Sequence, residues 1–174
     1  MTVSIPESVT AEGNVKVIFV PALADPAEPK LTELNAATAV DISCFMMPDW
    51  DGANAEQSTG EDRRWCSKES FDRLGRIKWS IAPLTYTYLP QGLPSLPGNK
   101  AYAGLTQGNT GFVVVVYGVD AQAPLSVADI ADVLPVECGV QNKNAKGADE
   151  FAPLTVTQTL GVTGSVHQNK AIAA

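Results

Sequence analysis

The sequence predicts a mainly β protein with long connecting loops, for three reasons. Apolar segments rich in β-branched residues recur along the chain; they are Val15–Val20, Val40–Met46, Ile77–Leu89, Phe112–Val119, Val133–Val140 and Leu154–Val166. These segments are separated by stretches rich in Pro and Gly, which interrupt regular structure. A single His, three dispersed Cys and the lack of a glycine-rich phosphate loop leave little material for a catalytic centre.

In the first third of the chain, an arm of residues 1–14 leads into the expected strand Val15–Val20. Prolines within residues 21–30 impose an extended connection. Leu31–Ala36 contains too few apolar residues for more than one helical turn. Along Val40–Met46 apolar and polar residues alternate, which predicts a strand with one buried face.

Residues 48–62 predict a long polar and acidic loop, and a loop of that length in a compact domain is usually functional or mobile. The basic residues from Arg63 to Lys78 are interleaved with acids, which favours ion pairs between chains or a solvated edge over a nucleic-acid groove. Together with the polar loop 142–150, these segments supply the candidate inter-subunit residues, which are Asp49, Trp50, Asp51, Glu61, Asp62, Arg63, Arg64, Lys143, Lys146, Asp149 and Glu150.

The middle of the chain contains a bend, a loop and the best helix candidate. In Ile77–Leu89 the apolar residues change parity across Ala82–Pro83, which predicts a bend where proline leaves the hydrogen-bonded ladder. The Pro/Gly-rich residues 90–99 are expected to form a loop. Asn99–Gln107 has apolar residues at helical spacing behind an Asn suited to an N-cap, and therefore predicts a helix.

The last third predicts a central strand, a short helix and two more strands. Phe112–Val119 is apolar on both faces, so it is expected to be covered on both sides. Ser126 and Asp129 have capping-box spacing, which predicts a helix that Pro135 limits to about two turns before a strand resumes. Leu154–Val166 alternates apolar residues with threonines, and only Gln158 interrupts the apolar side.

Length and charge limit the range of functions. A chain of 174 residues holds one good core and is short for two, so residues 15–174 are expected to form a single domain. Twelve basic and 19 acidic residues give a net charge of −7, which argues against binding nucleic acid but suits a surface that DNA passes without sticking. Residues 1–14 contain no Lys or Arg and no apolar run, so a signal peptide is not expected. The longest apolar run, Val17–Ala24, is too short to span a membrane.

None of the polar groups predicts a reactive or metal-binding site. His167 stands at a strand end without a nucleophile-elbow sequence, which favours an exposed or interface histidine. The Asp49–Asn54 stretch lacks the Gly and Glu positions of a calcium loop. Cys44, Cys66 and Cys138 lack zinc or redox spacing and are expected to be small buried hydrophobes in reduced form, with a disulfide or a reactive thiol as the alternative. No catalytic residue, cofactor or metal is therefore expected.

Several stretches together resemble the major tail tube proteins of long, non-contractile-tailed bacteriophages, particularly those infecting actinobacteria. The likeness covers most of residues 15–166 and depends on the order and spacing of its pieces. Those pieces are Val17–Pro21, Pro29–Ala36, Asp41–Cys44, Asp62–Cys66, Asn99–Tyr102, Gly111–Val115 and Val133–Cys138.

The resemblance implies a β-sandwich or barrel of two antiparallel sheets flanked by one α-helix, with long loops and an N-terminal arm. It implies a structural virion protein rather than an enzyme, in which six subunits close into rings that stack into the tail tube. The implied partners are further copies of the chain, the tape-measure protein, the tail terminator and the distal tail protein. Genomic DNA would transit the lumen without specific binding, and assembly would take place in the host cytoplasm.

Two other classes remain open from the sequence. One is another virion component, such as a tail terminator, a connector or a capsid-decoration protein. The other is a β-sandwich binding module, which would predict clustered aromatic residues, whereas Trp50, Trp65 and Trp79 are dispersed. Copy number in purified virions separates a tube subunit from a component present as one ring.

Overall fold

A computed structural model describes residues 8–145 and 150–174. Within these residues the protein is mainly β with short helices. The strands are β1 (Val15–Val20), β2 (Val40–Asp41), β3 (Ala53–Asp62), β4 (Phe71–Ile81), β5 (Leu84–Thr87), β6 (Thr110–Tyr117), β7 (Ile130–Asn144), β8 (Thr155–Val162) and β9 (His167–Ala171). The α-helices are α1 (Leu31–Leu34) and α2 (Lys100–Gly104), and 3-10 turns cover Ser43–Phe45 and Pro97–Asn99.

Seven strands form one antiparallel sheet, in the order β2-β1-β6-β7-β8-β5, with β9 also paired to β7. The sheet curls into a half-barrel, and β3 and β4 form a second, two-stranded sheet. The chain that follows β2 reaches the opposite edge, where Met46 bridges Tyr86 and the Met47 amide donates to the Thr85 carbonyl at 2.8 Å. The expected mainly β, antiparallel fold is confirmed, and these contacts link the two far edges of the curled sheet.

The predicted central strand is confirmed in β6, which lies between β1 and β7. Val113 and Val115 face one apolar cluster, whereas Val114 and Val116 face another on the opposite side of the sheet. All four valines are fully buried, and each contributes about 2 kcal/mol of hydrophobic stabilisation. The first cluster packs against α2 and β5, and the second is covered by Leu34 of α1 and other buried side chains.

Gln158, which interrupts the apolar side of β8, lies in the core at 0% exposure. Its Oε1 accepts a hydrogen bond from the Tyr86 hydroxyl at 2.9 Å, and its Nε2 donates to the carbonyls of Leu105 and Gly139 at 2.7 and 2.9 Å. Gln141 Nε2 donates to the same hydroxyl and to a carbonyl of α2. A buried amide without hydrogen-bond partners would be costly, and this network satisfies the Gln158 amide. It also links the sheet to the end of α2 through hydrogen bonds.

The predicted strand Val40–Met46 is wrong beyond Asp41, where the chain turns into the 3-10 segment. The Asp41 carboxylate accepts hydrogen bonds from the backbone amide and the hydroxyl of Ser43, at 3.0 and 2.6 Å. The Ser43 hydroxyl in turn accepts from the Val17 amide at 2.8 Å. Side-chain oxygens therefore take over hydrogen bonds that a longer strand would supply, which an alternating pattern does not reveal.

The predicted polar loop 48–62 is also wrong from Ala53 onward, because Ala53–Asp62 is strand β3 and pairs with Phe71–Ile81. Nearly all side chains of the two strands are exposed. Without a face buried in the body, the sequence shows no apolar alternation from which a strand would be predicted.

The helix predicted between Ser126 and Pro135 is absent from the described residues; β7 begins at Ile130 and continues through Pro135 to Asn144. The Asp129 carboxylate does accept from the Ser126 amide at 2.7 Å, but it closes a turn instead of a helix. The Pro135 carbonyl accepts from the Thr163 amide, on the side opposite β6. The missing N–H of the proline therefore faces the gap between β9 and β8, where no ladder bond is lost.

The remaining expectations are largely confirmed. The bend at Ala82–Pro83 separates β4 from β5, and the amphipathic segment near the end contains β8. The helix predicted at Asn99–Gln107 exists but covers only Lys100–Gly104. The predicted loop 142–150 begins later, since β7 extends to Asn144. Of the predicted arm, residues 8–14 precede β1, whereas residues 1–7 lie outside the described residues.

Candidate interaction surfaces

Strands β3 and β4 form a long hairpin, which is called the hairpin below and comprises residues 53–81. Its base is fixed to the body by two hydrogen bonds, from the Ala82 amide to the Gly52 carbonyl at 2.9 Å and from Trp50 Nε1 to the Ala82 carbonyl at 3.0 Å. Ten residues in β3 correspond to about 30 Å of strand at roughly 3.3 Å per residue. The hairpin therefore extends away from its base as an exposed element.

One face of the hairpin is apolar. Opposite residues of an antiparallel pair share a face, and the register pairs Ala53 with Ile81, Ala55 with Trp79 and Gln57 with Ile77. The register then shifts between Gln57 and Thr59, where β4 has an extra residue and Leu74 becomes the partner of Thr59. Because of this bulge, the face that presents Ile77 also presents Leu74.

The apolar face has no partner among the described residues over its outer half. Ile81 at the base is 5% exposed, whereas Ile77 and Leu74 are 57% and 71% exposed. Isolated two-stranded hairpins are marginal in water, and large apolar side chains with this exposure indicate a surface completed by another molecule.

Charge divides the hairpin from the rest of the chain. Residues 53–81 contain six basic and five acidic residues, a net charge of +1. The remaining residues contain six basic and 14 acidic residues, a net charge of −8. Half of the positive charges in the protein thus lie on this one projecting element, opposite in sign to the body.

At the outer end of the hairpin, charges pair with one another. Arg63 lies 2.6 Å from Glu61, while Arg64 and Arg73 lie 3.1 and 2.6 Å from Asp62. The hydrogen bond from Arg63, with a smaller contribution from Ser70, lowers the pKa of Glu61. All of these groups are solvent-accessible, so the pairs order the tip more than they stabilise the fold.

A cleft of about 750 Å³ lies at the base of the hairpin, between residues 11–13, 43–52 and 117–122. Its half-buried apolar lining includes Met46, Met47 and Trp50. Its charged residues are the exposed acids Glu12, Asp51 and Asp120, and none of the described residues lining it is Lys, Arg or His. We call this the acidic cleft.

A third feature is an aromatic cluster at the end of β7. The rings of Tyr88 and Tyr102 stack with centroids 5.4 Å apart, and Lys143 Nζ lies 5.7 Å from both centroids. This arrangement allows a cation–π interaction that holds the lysine against α2.

The structure places the predicted inter-subunit residues at separate sites. Trp50 and Asp51 line the acidic cleft, with Asp49 beside them in sequence. The group from Glu61 to Arg64, which includes Asp62 and Arg63, lies together at the far end of the hairpin. Lys143 belongs to the aromatic cluster and Glu150 is exposed, whereas Lys146 and Asp149 lie outside the described residues.

Sequence reasoning missed the apolar face of the hairpin. Ile77, Trp79 and Ile81 share one parity, and Leu74 has the other, so the stripe is continuous only because of the bulge. The bulge has one local signal, Gly75, where a Cβ would lie 2.4 Å from the Ser58 hydroxyl oxygen. A glycine inside a strand is a recognised mark of a bulge.

The described residues contain no group of three or more His, Cys, Asp or Glu side chains arranged to hold a metal ion. The predicted burial of the cysteines is confirmed for Cys138 but is wrong for Cys44 and Cys66, which are exposed free thiols. Burial, and to a smaller extent Glu137, raises the pKa of the Cys138 thiol to about 11, so it stays protonated at neutral pH. No helix in the described part of the chain is long and apolar enough to cross a membrane.

Comparison with known proteins shows the family of the chain and similarity to solved structures. The family model described as phage tail tube protein matches residues 2–174. The fold is similar to a chain in the cryo-EM structure of the anti-feeding prophage baseplate, six-fold symmetrised, with a TM-score of 0.57 and 12% identity over 97% of this chain and 98% of that one. The comparison with curated proteins returned no match.

Proposed function

Because the chain belongs to the phage tail tube protein family, we propose that it assembles with copies of itself into stacked six-membered rings that form the tube of a phage tail. The family is a structural one and not an enzyme family. The observation that carries the proposal is the hairpin, whose apolar face is exposed in the single chain and needs a second molecule to cover it.

The shape of the hairpin favours a ring or a filament. When the hairpin of one copy contacts the body of another, the two contacting surfaces are unlike. Contacts between unlike patches generate rings when the rotation closes and open filaments when it does not. A tube of stacked rings would combine a closed contact within each ring with an open-ended contact between successive rings.

The charge of the chain supports a role as a conduit for DNA. Six copies at −7 each give a ring charge of −42, which would repel phosphates wherever the acids face the lumen. DNA would then move through the tube without being held. The tape-measure protein, the tail terminator and the distal tail protein would be the partners at the lumen and at the two ends, and assembly would take place in the host cytoplasm.

Purified protein tests the proposal directly. Negative-stain images and sedimentation are expected to show rings or tubes for the unaltered chain, with the tape-measure protein added where assembly needs it. The double variant Leu74→Glu/Ile77→Glu is expected to remain monomeric, because it places charge on the apolar face. Ser80→Glu, on the polar face of the same hairpin, serves as the matched control and should assemble. Monomers of the unaltered chain under all conditions would contradict the proposal.

A second candidate is a tail ring other than the tube. The similarity to a chain in a baseplate structure favours it, since such a component shares the fold. Quantifying the chain in purified virions separates the two, because a tube requires many stacked rings and a baseplate or terminator ring requires few copies.

A further inference from the structure

We propose that the acidic cleft of one copy receives the hairpin of a second copy, with the apolar face of the hairpin inside and Arg76, at the bulge, beside the acids of the cleft. The inference rests on the proposed self-assembly and names the surface that accepts the hairpin. It assigns a function to a cleft that none of the described residues fills.

Charge complementarity identifies the occupant. The acidic cleft has three exposed acids and no basic residue among its described lining, whereas the hairpin contains half of the Lys and Arg residues of the chain. On β4, Arg76 lies at the bulge between Leu74 and Ile77, whereas Arg73 and Lys78 lie on the opposite, polar face. A cationic, apolar-faced element is thus the chemical complement of an anionic, apolar-lined cleft.

Size and polarity also match. A cleft of about 750 Å³ lies within the roughly 300–1,000 Å³ range of sites that bury most of a ligand's surface. Methionine side chains such as Met46 and Met47 adapt to irregular partners, and they are found at surfaces that accept apolar side chains. Leu74 and Ile77 are the large side chains on the apolar face of the hairpin that lack cover.

The hairpin cannot fill the cleft of its own chain. It leaves the cleft at Gly52 and returns at Ala82, and these two residues are hydrogen-bonded to each other. Leu74 is seven residues from the base at Ile81, or about 20 Å along an extended strand. None of residues 53–81 lines the cleft beside which the hairpin is anchored, so a hairpin that enters this cleft comes from another copy.

Mixing two assembly-deficient variants tests the pairing. Leu74→Glu/Ile77→Glu removes the hairpin surface but keeps the cleft, and Asp51→Lys/Asp120→Lys reverses the cleft but keeps the hairpin. Each variant alone is expected to be monomeric. A mixture should form one-to-one dimers in sedimentation, because the unaltered hairpin of the cleft variant can bind the unaltered cleft of the hairpin variant. Glu28→Lys/Glu137→Lys carries the same charge change at exposed acids outside the cleft, and it should assemble like the unaltered chain.

A thiol cross-link gives a second readout. In a Cys66→Ser background, Leu74→Cys places a thiol on the apolar face, and Cys44 supplies the exposed thiol of the cleft. Mild oxidation with copper phenanthroline under air, which accepts the two electrons and two protons, should yield disulfide-linked multimers. They should disappear with an added Cys44→Ser and should not form when Lys78→Cys replaces Leu74→Cys.

Each result decides between the two proposals. Rings or tubes without any link to Cys44, combined with assembly by the cleft variant, would overturn the cleft inference and leave self-assembly intact. Failure of the unaltered chain to assemble would overturn both. Dimers in the mixture together with a link that depends on Cys44 would support the cleft as the acceptor.

Discussion

The body and the hairpin of this protein use the same backbone pairing for different purposes. In the body, β6 buries side chains on both of its faces, so the fold is stabilised by its own apolar residues. In the hairpin, the strands are longer than most in the body, but their side chains remain in solvent. Hydrogen-bonded strands therefore do not by themselves show where the stabilisation lies, and substitutions in the two regions should behave differently.

The largest effect is expected in the body. Leu134 in β7 is 1% exposed and packs in the first apolar cluster. Leu134→Ala should lower the free energy of unfolding by about 3 kcal/mol, because it removes buried methyl groups and leaves a cavity. Urea denaturation of a monomeric background, such as Leu74→Glu/Ile77→Glu, measures this without interference from assembly. A loss below about 1 kcal/mol would show that the body is not the stabilising region.

The next largest effect is expected at the buried hydrogen-bond network of Gln158. Gln158→Leu should cost about 1–3 kcal/mol in the same background, because the carbonyls of Leu105 and Gly139 lose their donor and the Tyr86 hydroxyl loses its acceptor. The neighbouring exposed residue provides the control, and Thr159→Val should change stability by less than about 0.5 kcal/mol. Equal effects of the two substitutions would contradict the role of the amide.

A smaller effect is expected at alkaline pH, again in the body alone. Burial raises the pKa of Cys138 from 9.0 to about 11, and of Tyr86 from 10.0 to about 12. The unfolded chain loses these protons at lower pH than the folded chain does, so the free energy of unfolding should fall as pH rises above 9.

Denaturation at pH 9 and pH 11 measures the contribution of the thiol. Cys138→Ala should show a shallower decline between these values than the unaltered chain, since its thiol no longer titrates. An identical decline in both proteins would assign the alkaline loss to other groups.

The smallest effect on the single chain is expected in the hairpin. Ile77→Ala removes as many methyl groups as many core substitutions do, but Ile77 is 57% exposed, so the monomer should lose less than about 0.5 kcal/mol. The concentration needed for assembly should instead rise by about tenfold or more, because buried apolar anchors dominate interfaces. Sedimentation over a concentration series measures this, and an unchanged threshold would remove Ile77 from the interface.

The contrast between the two regions also explains how far the sequence could be interpreted. Strands with buried faces, such as β1, β6 and β8, were predicted because burial imposes an apolar pattern. The hairpin was predicted as a loop up to Asp62, because its large apolar side chains share one face only through the bulge and are not buried in the body. The charges at Asp51 and at Glu61–Arg64 were identified as candidates, but which of them lie together depends on tertiary structure.

Pro135 separates the two strands that share one side of β7. β9 pairs with β7 only as far as Val133, and the pairing of β8 with β7 begins at Val136. The hydrogen-bonded ladders of β8 and β9 are therefore separate. Detachment of β9 would therefore leave β8 in place, and the amide protons of the two strands should exchange with deuterium independently. A sheet divided in this way can release β9 while the other strands stay paired.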